Sequence, residues 1–282
     1  MSSDPATQQV QMQRVTLPQT VVEKTDVVAR EEPLEIRVEG RSVAVVMRTP
    51  GHDEELAAGF LVTEGVVRSA REILEISQCP STENQHGNVV DVLLAGGAVV
   101  DWQNLTRHVF SASSCGICGK TSIESVFQNF PPVPALEYPL RVDAELLAGL
   151  PEALRAAQEA FTLTGGLHAS AVFDARGRML VIREDVGRHN ALDKVIGWAL
   201  REGHLPLHQH LLLVSGRVSF EIMQKALAAG LPLVAAVSAP SSLAVEFAQQ
   251  SGQTLVGFLR GREMNLYAHP WRVSSGLAGA HS

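Results

Sequence analysis

Leu211-Leu212-Leu213-Val214-Ser215-Gly216-Arg217 sets a pattern that the chain repeats twice. Leu233-Val234-Ala235-Ala236-Val237 runs into Ser238-Ala239-Pro240-Ser241-Ser242, and Thr254-Leu255-Val256-Gly257-Phe258-Leu259 into Arg260-Gly261-Arg262. Each unit is a short, nearly continuous apolar run closed by small or charged residues. Such a run marks a strand buried on both faces. Helical stretches separate the runs, one ending at Gly230 and one near Gln250. Apolar strands alternating with helices predict a largely parallel sheet with helices on both faces.

Working outward from these runs, residues 169–173 and 179–183 predict a hairpin around Asp174-Ala175-Arg176-Gly177, with Gly177 in the left-handed position. Residues 190–202 predict an amphipathic helix with Ala191, Leu192, Val195, Ile196, Ala199 and Leu200 on one face, capped by Gly203. Residues 141–275 are therefore read as a layered α/β, ligand-binding domain. Residues 142–160 hold its first helical segments, with Pro151 placed at a first turn.

Residues 19–140 are read as a smaller α+β domain. Residues 42–48 predict a strand that Thr49-Pro50-Gly51-His52 ends. Asp53-Glu54-Glu55 then puts acid in the first turn of a helix with Leu56, Ala57, Phe60 and Leu61 on its apolar face. Ser69-Ala70-Arg71-Glu72 matches a capping box and predicts a second short helix. Residues 89–94 and 107–111 read as strands, and Phe130-Pro131-Pro132-Val133-Pro134 as a stiff connector. Residues 1–18, rich in Gln, Ser and Thr, read as a disordered tail, and 276–282 as a second tail.

Composition narrows the classes. A net charge of −7 argues against a general nucleic-acid binder, so any anion site must be local. No apolar run approaches the roughly 18 residues of a membrane span. The polar N-terminus lacks the features of a signal peptide. Three cysteines are too few and too odd a number for a disulfide framework, and a reducing, cytoplasmic setting is expected.

The chemistry is placed in Ser114-Cys115-Gly116-Ile117-Cys118-Gly119-Lys120-Thr121. A thiol is nucleophile or metal ligand only as thiolate, and nearby cations and helix N-termini lower its pKa. Lys120 supplies such a cation. Three readings stay open from the residues alone: structural zinc, dithiol redox chemistry, and a thiolate that carries sulfur as persulfide. Zinc would need four ligands, to be drawn from Cys79 and from His86, His108, His168 and His189. Gly119-Lys120-Thr121 fails as a P-loop because Ser114 stands where glycine is required. His168-Ala169-Ser170 is similar to the His-x-Glu of nucleobase deaminases, but serine replaces the acid.

Ligands of open α/β sheets bind beyond the carboxyl ends of the strands. Here that crevice is formed by Ser215-Gly216-Arg217, residues 238–242 and Arg260-Gly261-Arg262, beside the polar run Arg183-Glu184-Asp185-Val186-Gly187-Arg188-His189-Asn190. Glycines, serines and arginines at helix starts suit a phosphate-bearing ligand, plausibly a nucleotide. His189 is expected to cap its helix or to touch the ligand. Glu184 and Asp185 read as a charged surface pair.

Several of these stretches together resemble one family, the formate dehydrogenase accessory sulfurtransferases (FdhD). They are Arg48-Thr49-Pro50-Gly51-His52-Asp53 with Ala58-Gly59-Phe60-Leu61 and Glu64-Gly65; Ser114-Cys115-Gly116-Ile117-Cys118-Gly119; Thr164-Gly165-Gly166-Leu167-His168; residues 183–194; Ser215-Gly216-Arg217; and Phe258-Leu259-Arg260-Gly261. The resemblance implies a cytoplasmic homodimer that takes sulfur from a cysteine desulfurase. It implies delivery to the molybdenum (or tungsten) bis-pterin guanine dinucleotide cofactor of formate dehydrogenase, with no permanently bound metal. A C-terminal domain of cytidine-deaminase-like type is implied as well. The persulfide position maps onto Cys115, with Cys118 as partner, and the cofactor-binding stretch onto Phe258, Leu259, Arg260, Gly261, Arg262 and Glu263. Ser215, Gly216, Arg217 and His189 join that site through the crevice reading, with Arg217, Arg260 and Arg262 on phosphate. Rivals are a cofactor-binding chaperone that never handles sulfur and a zinc-dependent deaminase-like hydrolase.

Overall fold

The computed structural model describes residues 5–18, 20–79, 88–96, 102, 123–134 and 140–274. Strands β8 (His168–Asp174), β9 (Met179–Asp185), β10 (His210–Val214), β11 (Leu233–Ala236), β12 (Thr254–Arg260) and β13 (Glu263–Ala268) form a six-stranded sheet in the order β13-β12-β11-β10-β8-β9. Helices α6 (Phe220–Ala228) and α7 (Ser242–Ser251) cross over between β10, β11 and β12, and those three strands are parallel. The rest of the sheet is antiparallel, which corrects the expectation of a largely parallel one. The reason is connection length. Tight turns through Gly177 (φ +79°) and Gly261 (φ +55°) can return a chain only antiparallel, whereas a parallel neighbour needs a crossover.

The apolar runs bury both faces as their pattern predicted. Leu211 and Leu213 of β10 face one way, packing with Phe173, Ala235, Val256 and Leu259 under Leu147, Leu150 and Leu154 of α3 (Ala144–Ala157). Leu212 and Val214 face the other way, with Val234, Ala236 and Leu255 against α5 (Arg188–Arg201), α6 and α7. A helix laid on each face covers the sheet.

A four-stranded sheet runs β4-β3-β6-β5, built from β3 (Glu32–Val38), β4 (Arg41–Arg48), β5 (Ile73–Gln78) and β6 (Val89–Leu94). Helix α1 (Asp53–Thr63) lies between this sheet and α5. It is buried on every side except at Glu54, so its sequence carries no polar stripe. Two glycines set how closely α1 and α5 approach. A Cβ on Gly59 would sit 1.8 Å from the Asp193 carbonyl oxygen, and a Cβ on Gly197 1.8 Å from that of Glu55. The buried cluster is continuous from Leu34 in β3 to Ala268 in β13, so the two sheets share one core.

Several expectations are corrected. Thr7–Thr16 is not a disordered tail but strand β1, paired antiparallel with β2 (Thr20–Ala29) from Thr7↔Ala29 to Thr16↔Thr20. Its glutamines hide the strand in a polar composition, while Thr7, Val10, Val15 and Thr16 favour the extended chain. Gln11 donates across the pair to Thr25 Oγ1 at 3.0 Å. The capping box expected at Ser69 does not form: Ser69 makes no side-chain cap bond, Glu72 accepts from Arg68 N at 2.8 Å instead, and the segment is a single 3₁₀ turn before β5. Pro151 lies inside α3 rather than in a first turn, because Asp143 caps the helix eight residues earlier in the chain, accepting from Glu145 N at 2.8 Å. Residues 107–111 lie outside the described residues. Short elements complete the chain: α2 (Ile123–Asn129), α4 (Glu159–Thr164), β7 (Val142–Asp143) and β14 (Val273–Ser274). Among the described residues no helix is long and apolar enough to cross a membrane.

Candidate anion-binding crevice

The polar run at the end of β9 divides into residues that lock the fold and residues that face the crevice. Asp185 is fully buried and is the lock. Its Oδ2 lies 2.7 Å from Lys194 Nζ and accepts from Thr49 N at 3.1 Å; its Oδ1 accepts from Gly187 N at 2.8 Å and Asn190 Nδ2 at 2.9 Å. Thr49 reciprocates, its carbonyl accepting from Lys194 Nζ at 2.8 Å and its hydroxyl oxygen accepting from Val186 N at 3.1 Å. The surface-pair reading of Glu184 and Asp185 is therefore corrected. Glu184 accepts from Ala160 N at 3.0 Å and Phe161 N at 2.9 Å, capping the start of α4.

Two forked ion pairs reinforce the lock. Arg48 donates from Nε and Nη2 to the two oxygens of Asp53, each at 2.9 Å, and Arg183 donates to both oxygens of Glu55 at 2.6 and 2.7 Å. Burial opposes ionisation of Glu55, but the Arg183 fork and His52 outweigh it and hold the carboxyl at about 2. Deeper still, Lys225 donates to Asp193 at 2.8 Å and to Thr63 Oγ1 at 3.0 Å. Burial works against the Lys225 ammonium, yet Asp193 more than offsets it and raises the amine above its ordinary range.

The crevice floor is the row of turns at the carboxyl ends of β10, β11 and β12. Ser215 is stapled to β8, donating from N to the Ala169 carbonyl and accepting from Ala169 N at 2.9 Å. Val218 N donates to the Ala239 carbonyl and Ser241 N to that of Val218, so the turn after β10 runs beside the turn after β11. Phe258 N reaches the Ser238 carbonyl at 3.1 Å and Arg260 Nε that of Val237 at 2.8 Å, adding the end of β12. Gly216 must stay small: a Cβ there would meet His168 Nδ1 at 3.1 Å.

Phe258 is unusual in its backbone and in its exposure. Its φ is +51°, a region that costs a bulky residue about 1–2 kcal/mol, and its ring is 38% exposed with the Arg260 guanidinium 5.6 Å from its centroid. Leu259 points the other way into the core and is fully buried, so its side chain is unavailable to a ligand. Arg262 pairs with Glu145, so it is not the free phosphate group that was expected. Glu263 opens β13 opposite Arg260.

His189 does not cap its own helix; Gly187 is the N-cap. Its Nε2 lies 3.3 Å from Ser219 Oγ and 3.4 Å from Glu221 Oε2. Burial pushes the imidazole down to about 4, opposed by Glu221 and reinforced by Lys225, Arg188 and His168. Burial also lowers His168, with Arg188 and Arg217 acting in the same direction and Asp185 against it. Cys115 and Cys118 lie outside the described residues, as do His86 and His108. Cys79 is partly exposed, with its N–H on the Val89 carbonyl.

Ser215, Gly216, Arg217, His189, Phe258 and Arg260 thus share one face, while Leu259 and Arg262 do not belong to it. Asp185, Lys194, Asp193 and Lys225 went unpredicted as a buried network. A signal existed: in α5, Asp193 and Lys194 interrupt a run of apolar neighbours, where an unpaired charge would be costly.

The class defined here is a mixed α/β scaffold with arginines gathered at its strand ends. The chain belongs to the FdhD/NarQ family, whose model matches residues 29–274. It is 52% identical over 267 residues to the sulfur carrier protein FdhD of Streptomyces avermitilis, covering 91% of this chain and 92% of that one. It is 50% identical over 260 residues to the protein of that name from Mycobacterium tuberculosis, covering 90% and 94%, and 43% identical over 248 residues to that of Sulfolobus acidocaldarius, covering 88% and 91%. The fold matches the crystal structure of a protein from Desulfotalea psychrophila described as a formate dehydrogenase accessory protein. That match has a TM-score of 0.76 at 24% identity and covers 96% of this chain and all of that one.

Proposed function

We propose that this protein is a sulfur carrier that serves the maturation of formate dehydrogenase. In this reading Cys115 thiolate attacks the terminal sulfur of a cysteine desulfurase persulfide. The S–S bond of the donor breaks, the donor leaves as thiolate, and Cys115 becomes the persulfide, with no net oxidation. Lys120 favours the thiolate that begins the exchange, and Cys118 assists release. The acceptor is the molybdenum (or tungsten) bis-pterin guanine dinucleotide cofactor, held in the crevice as substrate. Phe258 offers a face for a guanine base, and Arg260 and Arg217 meet phosphate. A cytidine-deaminase-type layering, a homodimeric assembly and a cytoplasmic setting accompany the proposal.

The observation that carries the reading is the extent of family identity, half of all residues over nine-tenths of the chain with proteins named sulfur carriers. Support comes from a crevice whose exposed groups, Phe258 and Arg217 among them, suit a nucleotide. The test is intact-mass spectrometry after incubation with a cysteine desulfurase and cysteine. The parent gains a reducible sulfur on the Cys115 peptide. If Cys115→Ala gains it equally, the carrier assignment is wrong. If a Cys115→Ala, Cys118→Ala double variant still matures the dehydrogenase, the protein is a chaperone and not a carrier.

A further inference from the structure

Arg188 and Arg217 differ from the arginines of the lock. Arg48, Arg183, Arg201 and Arg262 each face a carboxylate within 3 Å, whereas neither Arg188 nor Arg217 has an acid partner among the described residues. The Nε of Arg188 is buried with no acceptor at all. A buried N–H without an acceptor is costly, while the rest of the Arg188 side chain is partly exposed and Arg217 is exposed, so both can be reached by a ligand.

The two arginines are chain neighbours of groups at the histidines: Arg188 adjoins His189, and Arg217 follows Gly216, which lies against His168. The charges of both act on His168, and that of Arg188 acts on His189. No hydrogen bond holds the His168 ring among the described residues, and the ring lies against the bare backbone of Gly216. The carboxylates able to neutralise the group are already engaged, Asp185 by Lys194 and three N–H donors, Glu221 by His189. Lys225, the remaining cation near His189, is spent on Asp193. Helix α5 begins here, fourteen residues long and without a side-chain cap. Two glycines keep side chains out, since a Cβ on Gly187 would meet Asn190 Nδ2 at 2.8 Å.

We infer that Arg188, Arg217, His168 and His189, at the amino end of β8, the carboxyl end of β10 and the start of α5, form a subsite for a tetrahedral oxyanion. Two guanidiniums supply charge and paired N–H donors, and the His168 ring, which makes no hydrogen bond among the described residues, adds an N–H. A phosphate group and a metal oxyanion of molybdate type share this chemistry. The inference rests on the crevice being the acceptor site and adds a second anion position to it. The turns after β10 and β11 separate this position from Phe258 and Arg260 at the end of β12.

The full-length protein is titrated with inorganic phosphate and separately with sodium molybdate while imidazole NMR signals are followed, assigned with His168→Gln and His189→Gln. Saturable shifts of both rings are expected with at least one anion. Both imidazole titration midpoints rise on saturation, because a neighbouring anion favours imidazolium. Arg217→Ala weakens the binding about tenfold or more, and Arg217→Lys restores part of it. Whichever anion saturates names the source. The inference falls if neither anion gives a saturable shift, or if a folded Arg217→Ala protein and a folded Arg188→Lys protein both bind as the parent does. GDP binding, measured in parallel, separates the two proposals. GDP bound without oxyanion binding removes this inference alone; oxyanion bound without GDP removes the nucleotide reading and leaves the subsite.

Discussion

The two arginine-rich loops of this protein look alike in sequence and do opposite things. Around Arg48 and Arg183 every charge is matched by a fork of carboxylate oxygens, and the loop after β4 is bound to the start of α5. Around Arg188, Arg217 and Arg260 charge is left unmatched by any acid among the described residues, at the open ends of the strands. Matched charge costs desolvation and returns geometry; unmatched charge costs stability and returns affinity. The first region is a frame and the second is the proposed site. Substitutions should therefore sort cleanly, frame residues changing stability and site residues changing binding.

The largest expected effect is in the frame. Lys194→Met leaves Asp185 buried with its countercharge gone, and denaturant unfolding should show a loss of about 3–5 kcal/mol. An unchanged midpoint would mean that Asp185 is protonated and the lock is not ionic. Gly59→Ala drives a methyl into the α5 backbone, and a loss of about 1–3 kcal/mol or more is expected by the same measurement.

Acid should find the same frame. The Glu55 carboxyl lies below its ordinary 4.5, at about 2, when folded. Its contribution is present above the unfolded value and is lost as pH falls through about 4.5 towards 2. A Glu55→Gln protein, compared by thermal melting across that window, should lose less stability on acidification than the parent does. Parallel curves would remove Glu55 from the acid limb.

The smallest effect sharpens the contrast. Phe258→Gly relieves a left-handed backbone, so stability should stay level or rise by up to about 1 kcal/mol while GDP binding weakens. A frame residue could not lose ligand and gain stability together.

Much of the six-stranded sheet was legible because buried strands announce themselves as apolar runs, and β10, β11, β12 and the β8–β9 hairpin follow those runs. What misled was connection length at the sheet edges, where β13 returns through Gly261 without a crossover. Strand β1 escaped because Thr and Gln serve a two-stranded ribbon and a disordered tail equally well in composition. At the site, Arg217, Arg260 and His189 could be named from their places after strands and before helices. Leu259 and Arg262 could not be set apart from their neighbours, since strand alternation and a partner as remote as Glu145 decide which way each points. Asp185 was misread for a related reason: its four partners come from the β4–α1 loop and the start of α5, and no local pattern announces them.

The most direct measurement is calorimetric titration of GDP into parent and Arg260→Ala protein, with the melting temperature of each taken alongside. A site arginine predicts a melting temperature within the range of a surface substitution, about 0.5 kcal/mol in stability, and an affinity reduced by about tenfold or more. An Arg260→Ala protein that binds GDP as the parent does, or that melts as a frame variant would, contradicts the division between frame and site.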